Sequence, residues 1–232
     1  MRKSKVIMGV MAMAMVAALT ACGTKATTET KTETTTANAA NSSEITGDGV
    51  ATKGQLVMVT NLEFPPFEYR ENDQPTGIDV DIAKEVAKKM GLELKVDDIA
   101  FDSIIPELVS GKADISFAGM TVTEDRKQSV DFTQTYAKAS QMIIVKNDSS
   151  IAGPDDLKNK RIGVQQGTTG DLFSSTVEGA TIERYNKGME AVQALVQGKV
   201  DAVVIDEQPA KVYVKEVQGT KVLDAVAKQD TE

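Results

Sequence analysis

Arg126 and Asp206 are the charged residues best placed to do chemistry. Arg126 closes the stretch Gly119-Met-Thr-Val-Thr-Glu-Asp-Arg126, and Asp206 follows the apolar run Val203–Ile205. A guanidinium fork matches a carboxylate in bidentate fashion, and an acid at a strand end can pair with an ammonium group. Each residue also has an ordinary explanation. An arginine in a loop is commonly a solvated surface charge, and Asp206 could cap the helix that follows it.

The stretch Asn61–Tyr69 (NLEFPPFEY) adds an apolar element. Pro65 and Pro66 stiffen the chain and cannot extend a sheet. Phe64, at the carboxyl end of a strand, is open to both a ligand contact and a core position. Phe67 and Tyr69 are expected to fill the core. Gln165–Asp171 (QQGTTGD) joins a strand to a helix, where glycines let backbone N–H groups approach an anion. It lacks the Gly-Lys-Ser/Thr ending of a phosphate loop.

Composition removes several alternatives. The chain has no histidine, which excludes Ser-His-Asp and Cys-His catalysis and His-ligated metal sites. Its single cysteine excludes an internal disulfide. The net charge is −8, and removing residues 1–21 takes away Arg2, Lys3, Lys5 and no acid, leaving about −11. Nucleic acid binding needs clustered Lys and Arg, so no such partner is expected. No cofactor and no metal is expected.

The elements that position these residues follow from periodicity. Leu56–Thr60 reads as a strand. Val80, Ile82, Ala83, Val86 and Ala87 give helical spacing over Asp79–Met90, with Gly91 at the cap. A strand is expected at Leu94–Val96. A helix capped by Asp102 or Ser103 should run through Val109, and Ala113–Ala118 should be the next strand. The phrase Leu108–Asp114 (LVSGKAD) returns as Leu195–Asp201 (LVQGKVD), identical at five of seven positions. It points to two lobes of similar α/β build. In the second, strands at Met142–Val145, Arg161–Val164, Thr181–Arg184 and Ala202–Ile205 alternate with helical stretches at Asp171–Thr176 and Gly188–Gln197. Such alternation favours mostly parallel sheets covered by helices. Ligands then bind at the carboxyl ends of the strands.

The first fifty residues read as address and tether. Met1–Lys5 carries three positive charges, Val6–Leu19 is apolar, and Leu19-Thr20-Ala21-Cys22 follows. The apolar run has signal-peptide length and is short for a membrane span. Small residues before a cysteine resemble the bacterial lipobox, so residues 1–21 are expected to be a signal peptide and Cys22 the lipidated (palmitate-bearing) residue. Gly23–Gly47 is rich in Thr, Ala, Asn, Ser and Glu, and residues 22–53 are expected to be a disordered tether.

Taken together, the phrases Phe64–Tyr69, Gly77–Ile82, Phe101–Leu108, Ala118–Arg126, Val130–Thr133 and Gln166–Thr169 resemble family 3 of the bacterial extracellular solute-binding proteins, the polar amino-acid receptors of ABC importers. The resemblance implies a two-lobed, type II periplasmic-binding-protein fold, with lobe 1 over 54–138 and lobe 2 over 139–232. It implies that Phe64 and Phe101 sandwich the ligand side chain. Arg126 would clamp the α-carboxylate, helped by the Gly119 backbone, the Thr121 hydroxyl and N–H groups around Thr168 and Thr169. Asp206 would take the α-ammonium. Asn61 and Gln165 would meet the side-chain end. Their neutrality suggests a polar ligand rather than a strongly cationic one, although Glu63 could offset that.

The implied protein is a monomer outside the cytoplasm, anchored by lipid to the cell membrane, closing by a hinge and delivering its ligand to permease subunits. Family members recross a second hinge strand and complete the first lobe with terminal helices, and the expectation is that this return segment is missing here. The competing class is an enzyme on the same scaffold, dehydratase- or lyase-like. It would need a proton-transfer residue in the cleft, where Glu63 and Glu68 have no evident partners. A receptor sensor domain would require a membrane span and a cytoplasmic module.

Overall fold

Leu56, Val57, Met58 and Val59 are all buried, as expected for a parallel strand covered on both faces. They form strand β1 (Gln55–Thr60) of the computed structural model, which describes residues 49–229; Cys22, the signal stretch and most of the tether lie outside the described residues. β1 is the centre of a three-stranded parallel sheet. It is flanked by β5 (Glu93–Asp98) and by β6, only Ile115–Ser116 rather than the expected Ala113–Ala118. Along the chain, the segment from β1 to β5 first forms a separate antiparallel ladder of β2 (Glu63–Phe64), β3 (Glu68–Glu71) and β4 (Gln74–Thr76). Helix α1 (Ile78–Met90) follows and ends on the left-handed Gly91.

Alternate strand residues face opposite helices. Met58 packs with Ala83 of α1 and with Phe117. Val57 and Val59 pack with Ile104 of α2 (Ile104–Val109). The expected cap by Asp102 or Ser103 is not used. A 3₁₀ turn at Phe101–Ser103 feeds directly into α2, so Ser103 is already helical and makes no side-chain cap bond. Phe67 and Tyr69 are only half-buried, contrary to the core expectation. The proline turn carries Phe67 out of the sheet layers and onto the Phe64 ring, with centroids 5.9 Å apart.

After the short helix α3 (Glu124–Lys127), residues 130–139 run without regular pairing. The second sheet then begins. Its order is β11 (Thr220–Gln229), β7 (Ser140–Lys146), β10 (Ala202–Asp206), β8 (Arg161–Gln165), β9 (Thr181–Tyr185). Strands β8, β9 and β10 are parallel to one another, whereas β7 is antiparallel to both β10 and β11. The reversal of β7 has a simple origin. It precedes the strand–helix–strand alternation and is joined to β8 by a 3₁₀ turn (Pro154–Leu157) instead of a crossover helix. Helices α4 (Thr169–Ser174), α5 (Gly188–Val196) and α6 (Glu207–Glu216) make the other connections. Met142, Ile144, Val203 and Ile205 face α5 and α6, while Ile143, Val145, Val164 and Val204 face the opposite side.

The repeated phrase performs the same job twice. Asp114 takes the Val57 N–H on its carboxylate at 2.7 Å and donates its own N–H to the Val57 carbonyl at 2.9 Å. Asp201 does both with Arg161, at 2.9 Å and 2.8 Å. In each lobe an acid after a helix thus tethers the neighbouring strand.

Candidate functional site

The expected site residues sit where parallel strands end. Asn61 follows β1, Gly119 follows β6 by three residues, Gln165 closes β8 and Asp206 closes β10. Asn61, Phe64, Phe101, Gly119, Thr121, Arg126, Gln165, Thr168, Thr169 and Asp206 line one cleft. Glu68 and Ala118 complete its wall, and the cleft spans about 320 Å³ including open solvent.

Arg126 is aimed by its own helix. Thr123 caps α3 and accepts the Arg126 N–H at 3.2 Å, which places the arginine on the first turn. Its Nη1 donates to the Thr121 carbonyl at 2.6 Å and its Nη2 to the Gly167 carbonyl, on the other lobe, at 2.9 Å. The Phe101 ring lies beneath the guanidinium, 5.5 Å from Cζ to centroid. The solvated-surface alternative therefore fails for this residue.

Asp206 does not cap α6, since its side chain makes no cap bond. Its Oδ1 accepts from Gln141 Nε2 at 2.9 Å, and the same amide nitrogen reaches Thr169 Oγ1 at 3.0 Å. Gln141 is fully buried at the head of β7. It was not among the expected site residues. Its only signal was a polar side chain leading the apolar run Met142–Val145.

Gly119 packs against Phe64, and a Cβ there would lie 2.9 Å from the ring edge, at φ +52°. Its N–H is engaged away from the cleft, by Asp79 Oδ2 at 3.1 Å and Tyr136 Oη at 3.2 Å. Thr168 caps α4, accepting the Asp171 N–H at 3.3 Å and donating to the Gln165 carbonyl at 2.8 Å. Asp171 in turn accepts the Gly167 N–H at 3.1 Å and Arg184 Nε at 3.0 Å. This second unexpected residue fixes the shape of the Gly167–Thr169 turn.

Asn61 and Gln165 meet each other. Gln165 Nε2 donates to Asn61 Oδ1 at 3.0 Å and to the Asn186 carbonyl at 3.3 Å, while Asn61 Nδ2 donates to the Ile99 carbonyl at 2.8 Å. Other polar contacts also cross between the lobes. Gln166 Nε2 donates to Asp102 Oδ2 at 2.7 Å, Lys187 Nζ pairs with Glu63 Oε1 at 2.5 Å, and the Tyr213 hydroxyl bonds the Glu63 carbonyl. Of the two cleft carboxylates read as partnerless, Glu63 is therefore engaged. Glu63 holds Lys187, whose pKa is raised by that bond, and Glu68 lies beside the Asp79 carboxyl. Burial, then the Asp79 charge, pushes the Glu68 pKa well up. Burial also raises Tyr136 and Tyr213.

Among the described residues no group of His, Cys, Asp and Glu converges as a metal site, and no helix is long and apolar enough to cross a membrane. The arrangement offers a cation and an anion lining one cleft with two aromatic rings, suited to a small molecule with both charges and an organic side chain.

Comparison with known proteins agrees in outline. The model of the bacterial extracellular solute-binding proteins, family 3, matches residues 56–216, more than half of the chain. The chain is 38% identical over 183 residues to the arginine-binding extracellular protein ArtP of Bacillus subtilis, covering 76% of this chain and 72% of that protein. It is 39% identical over 148 residues to the L-arginine-binding protein of Pseudomonas aeruginosa, covering 62% of this chain and 57% of that one. The arginine-bound form of truncated ArgBP from T. maritima superposes with a TM-score of 0.73 at 39% identity, covering 77% of this chain and 85% of that one.

Proposed function

Because the chain belongs to the bacterial extracellular solute-binding proteins, family 3, we propose that it binds a free polar amino acid in this cleft and delivers it to the permease of an ABC importer. The observation that carries the reading is the single cleft lined by Arg126, Asp206, Phe64 and Phe101 together. Arg126 receives the α-carboxylate. Asp206, steadied by Gln141, receives the α-ammonium. Phe64 and Phe101 flank the side chain, and Asn61 and Gln165 meet its far end. Thr121, Thr168 and Thr169 complete the grip on the head group, while Gly119, expected to help through its backbone, has its N–H held by Asp79 and Tyr136 and shapes the wall instead.

In a cleft shielded from water, a charged group left without its partner costs several kcal/mol, so both ends of the zwitterion are demanded. The two lobes, 54–138 and 139–232, close on the ligand about the hinge between them. Closure is supported by the bonds that join them: Gln165 to Asn61, Arg126 to Gly167 and Lys187 to Glu63. The protein acts outside the cytoplasm as a monomer, held to the membrane through a lipid on Cys22.

The named ligand of both relatives above makes L-arginine the first compound to test. Calorimetry on the mature protein with L-arginine, and a thermal-shift screen of the other amino acids and cystine, test the reading. Arg126→Ala should abolish binding with the circular dichroism spectrum retained. Unchanged affinity in Arg126→Ala, or no stabilisation by any amino acid, sinks it. Cys22→Ser should release the protein from the membrane fraction, and continued retention refutes the anchor.

A further inference from the structure

Two carboxyl groups face each other behind the cleft wall. Glu68 on β3 and Asp79 in the first turn of α1 are 1% and 0% exposed. Asp79 Oδ2 is occupied, accepting the Tyr136 hydroxyl at 2.9 Å and the Gly119 N–H at 3.1 Å. Asp79 Oδ1 and Glu68 Oε2 are both buried, and among the described residues neither finds a donor. Yet the two side chains are within hydrogen-bonding reach of each other. Two carboxylates cannot hydrogen-bond without a proton, and two like charges this close in a dry site cannot both ionise.

We infer that Glu68 and Asp79 share one proton in the folded protein, with Glu68 carrying it, and that this pair both positions Gly119 and sets the charge of the cleft wall. The proton on Glu68 satisfies the two orphan oxygens at once. It leaves Asp79 as the carboxylate that Gly119 N–H and Tyr136 require. Because Glu68 lines the cleft, the ligand then meets a neutral carboxyl beside the fixed charges of Arg126 and Asp206.

The surroundings keep it so. The groups acting on Glu68 are Asp79 from α1 and Asp206 from β10, both acids. The phenols coupled to it are Tyr136, from the segment between α3 and β7, and Tyr213 from α6. Burial and the neighbouring negative charge both favour the protonated form. Asp79 is a positioning residue in this scheme, acting on the ligand through Gly119 and Glu68. Glu68 determines selectivity, because its ionisation would add an anion where a cationic side chain could use it.

The test has two arms. The first is independent of any ligand: carbon-13 spectra of the full chain labelled at the Glu and Asp carboxyl carbons, followed over pH. One glutamate carboxyl, absent in Glu68→Gln, should still show the protonated shift at neutral pH. If every glutamate titrates in the ordinary range the shared proton is refuted.

The second arm rests on the amino-acid reading above and uses L-arginine and its neutral isostere L-citrulline. In Asp79→Asn the neighbouring negative charge is gone and the amide nitrogen donates to Glu68, which shifts Glu68 toward its ionised form although its burial remains. The preference for arginine over citrulline should rise about tenfold relative to the parent, a modest Coulombic gain in a partly dry cleft. An unchanged ratio in folded Asp79→Asn overturns the role in selectivity. Should neither compound bind, the amino-acid reading fails while the first arm still decides the proton.

Discussion

Gln141 Nε2 lies 2.9 Å from Asp206 Oδ1 and 3.0 Å from Thr169 Oγ1, so one buried amide ties the acid at the end of β10 to the first turn of α4. Gln141 and Asp206 are paired residues of the antiparallel β7–β10 ladder, which fixes their spacing. The amide holds the carboxylate in place and keeps it from folding back to cap α6. Gln141→Leu preserves volume but removes the donor to a charged partner. A hydrogen bond to a charged group contributes about 1.5–3 kcal/mol, so amino-acid affinity should fall about 10- to 100-fold, measured by calorimetry. An affinity equal to the parent's would show that Asp206 is positioned by something else.

Arg126→Lys keeps the charge and loses the geometry. The ammonium cannot bond the Thr121 and Gly167 carbonyls and still present a planar fork to a carboxylate. Affinity should drop at least about tenfold, corresponding to roughly one charge-assisted bond. Binding as tight as the parent's would mean that a point charge suffices there.

Gly119→Ala forces a Cβ against Phe64 at a positive φ. The left-handed backbone alone should cost about 1–2 kcal/mol of stability in denaturant titration. The displaced Phe64 ring should also weaken ligand binding. Full stability and full affinity together would show that the ring and the loop relax without consequence.

Glu68 gives the chain a pH signature. Its folded pKa lies well above the ordinary 4.5, so its favourable contribution is complete below that value. It is lost as the pH rises toward the folded-state value, because the unfolded chain releases its proton first. Asp79, raised above its ordinary 3.8, acts in the same direction. Glu68→Gln cannot ionise, and its Tm relative to the parent should therefore climb as the pH is raised from about 4.5. A constant difference between the two proteins across that range would contradict the buried, neutral Glu68.

Glu63 and Lys187 form a half-exposed clasp at the rim, with side chains 30% and 43% exposed. Solvent screens such pairs to about 0.2–1 kcal/mol. Glu63→Gln should speed ligand release no more than about fivefold, and less at high salt, when measured by stopped flow. A far larger effect would make the clasp a principal element of closure.

Local patterns in the sequence determined the α/β class and, to within one residue, the boundaries of α1, whereas the full set of cleft residues came from the family resemblance. Helical spacing, a glycine stop and apolar strand runs are local properties of the chain, and strand ends are where open sheets bind ligands. The turn before Arg126 was legible because it carries its own cap, as Thr123 bears out, whereas the cap at Thr168 emerged only from the structure. Only the tertiary structure decided the reversed direction of β7, the shortness of β6 and the partners of the buried polar groups. Gln141 reaches Asp206 across 65 residues, Asp79 reaches Tyr136 across 57, and Gln165 reaches Asn61 across 104. Such pairings are invisible to local patterns because nothing in a side chain's near sequence says which distant donor will share its burial. The cost of leaving a polar group unsatisfied is set by the packed interior and not by the chain around it.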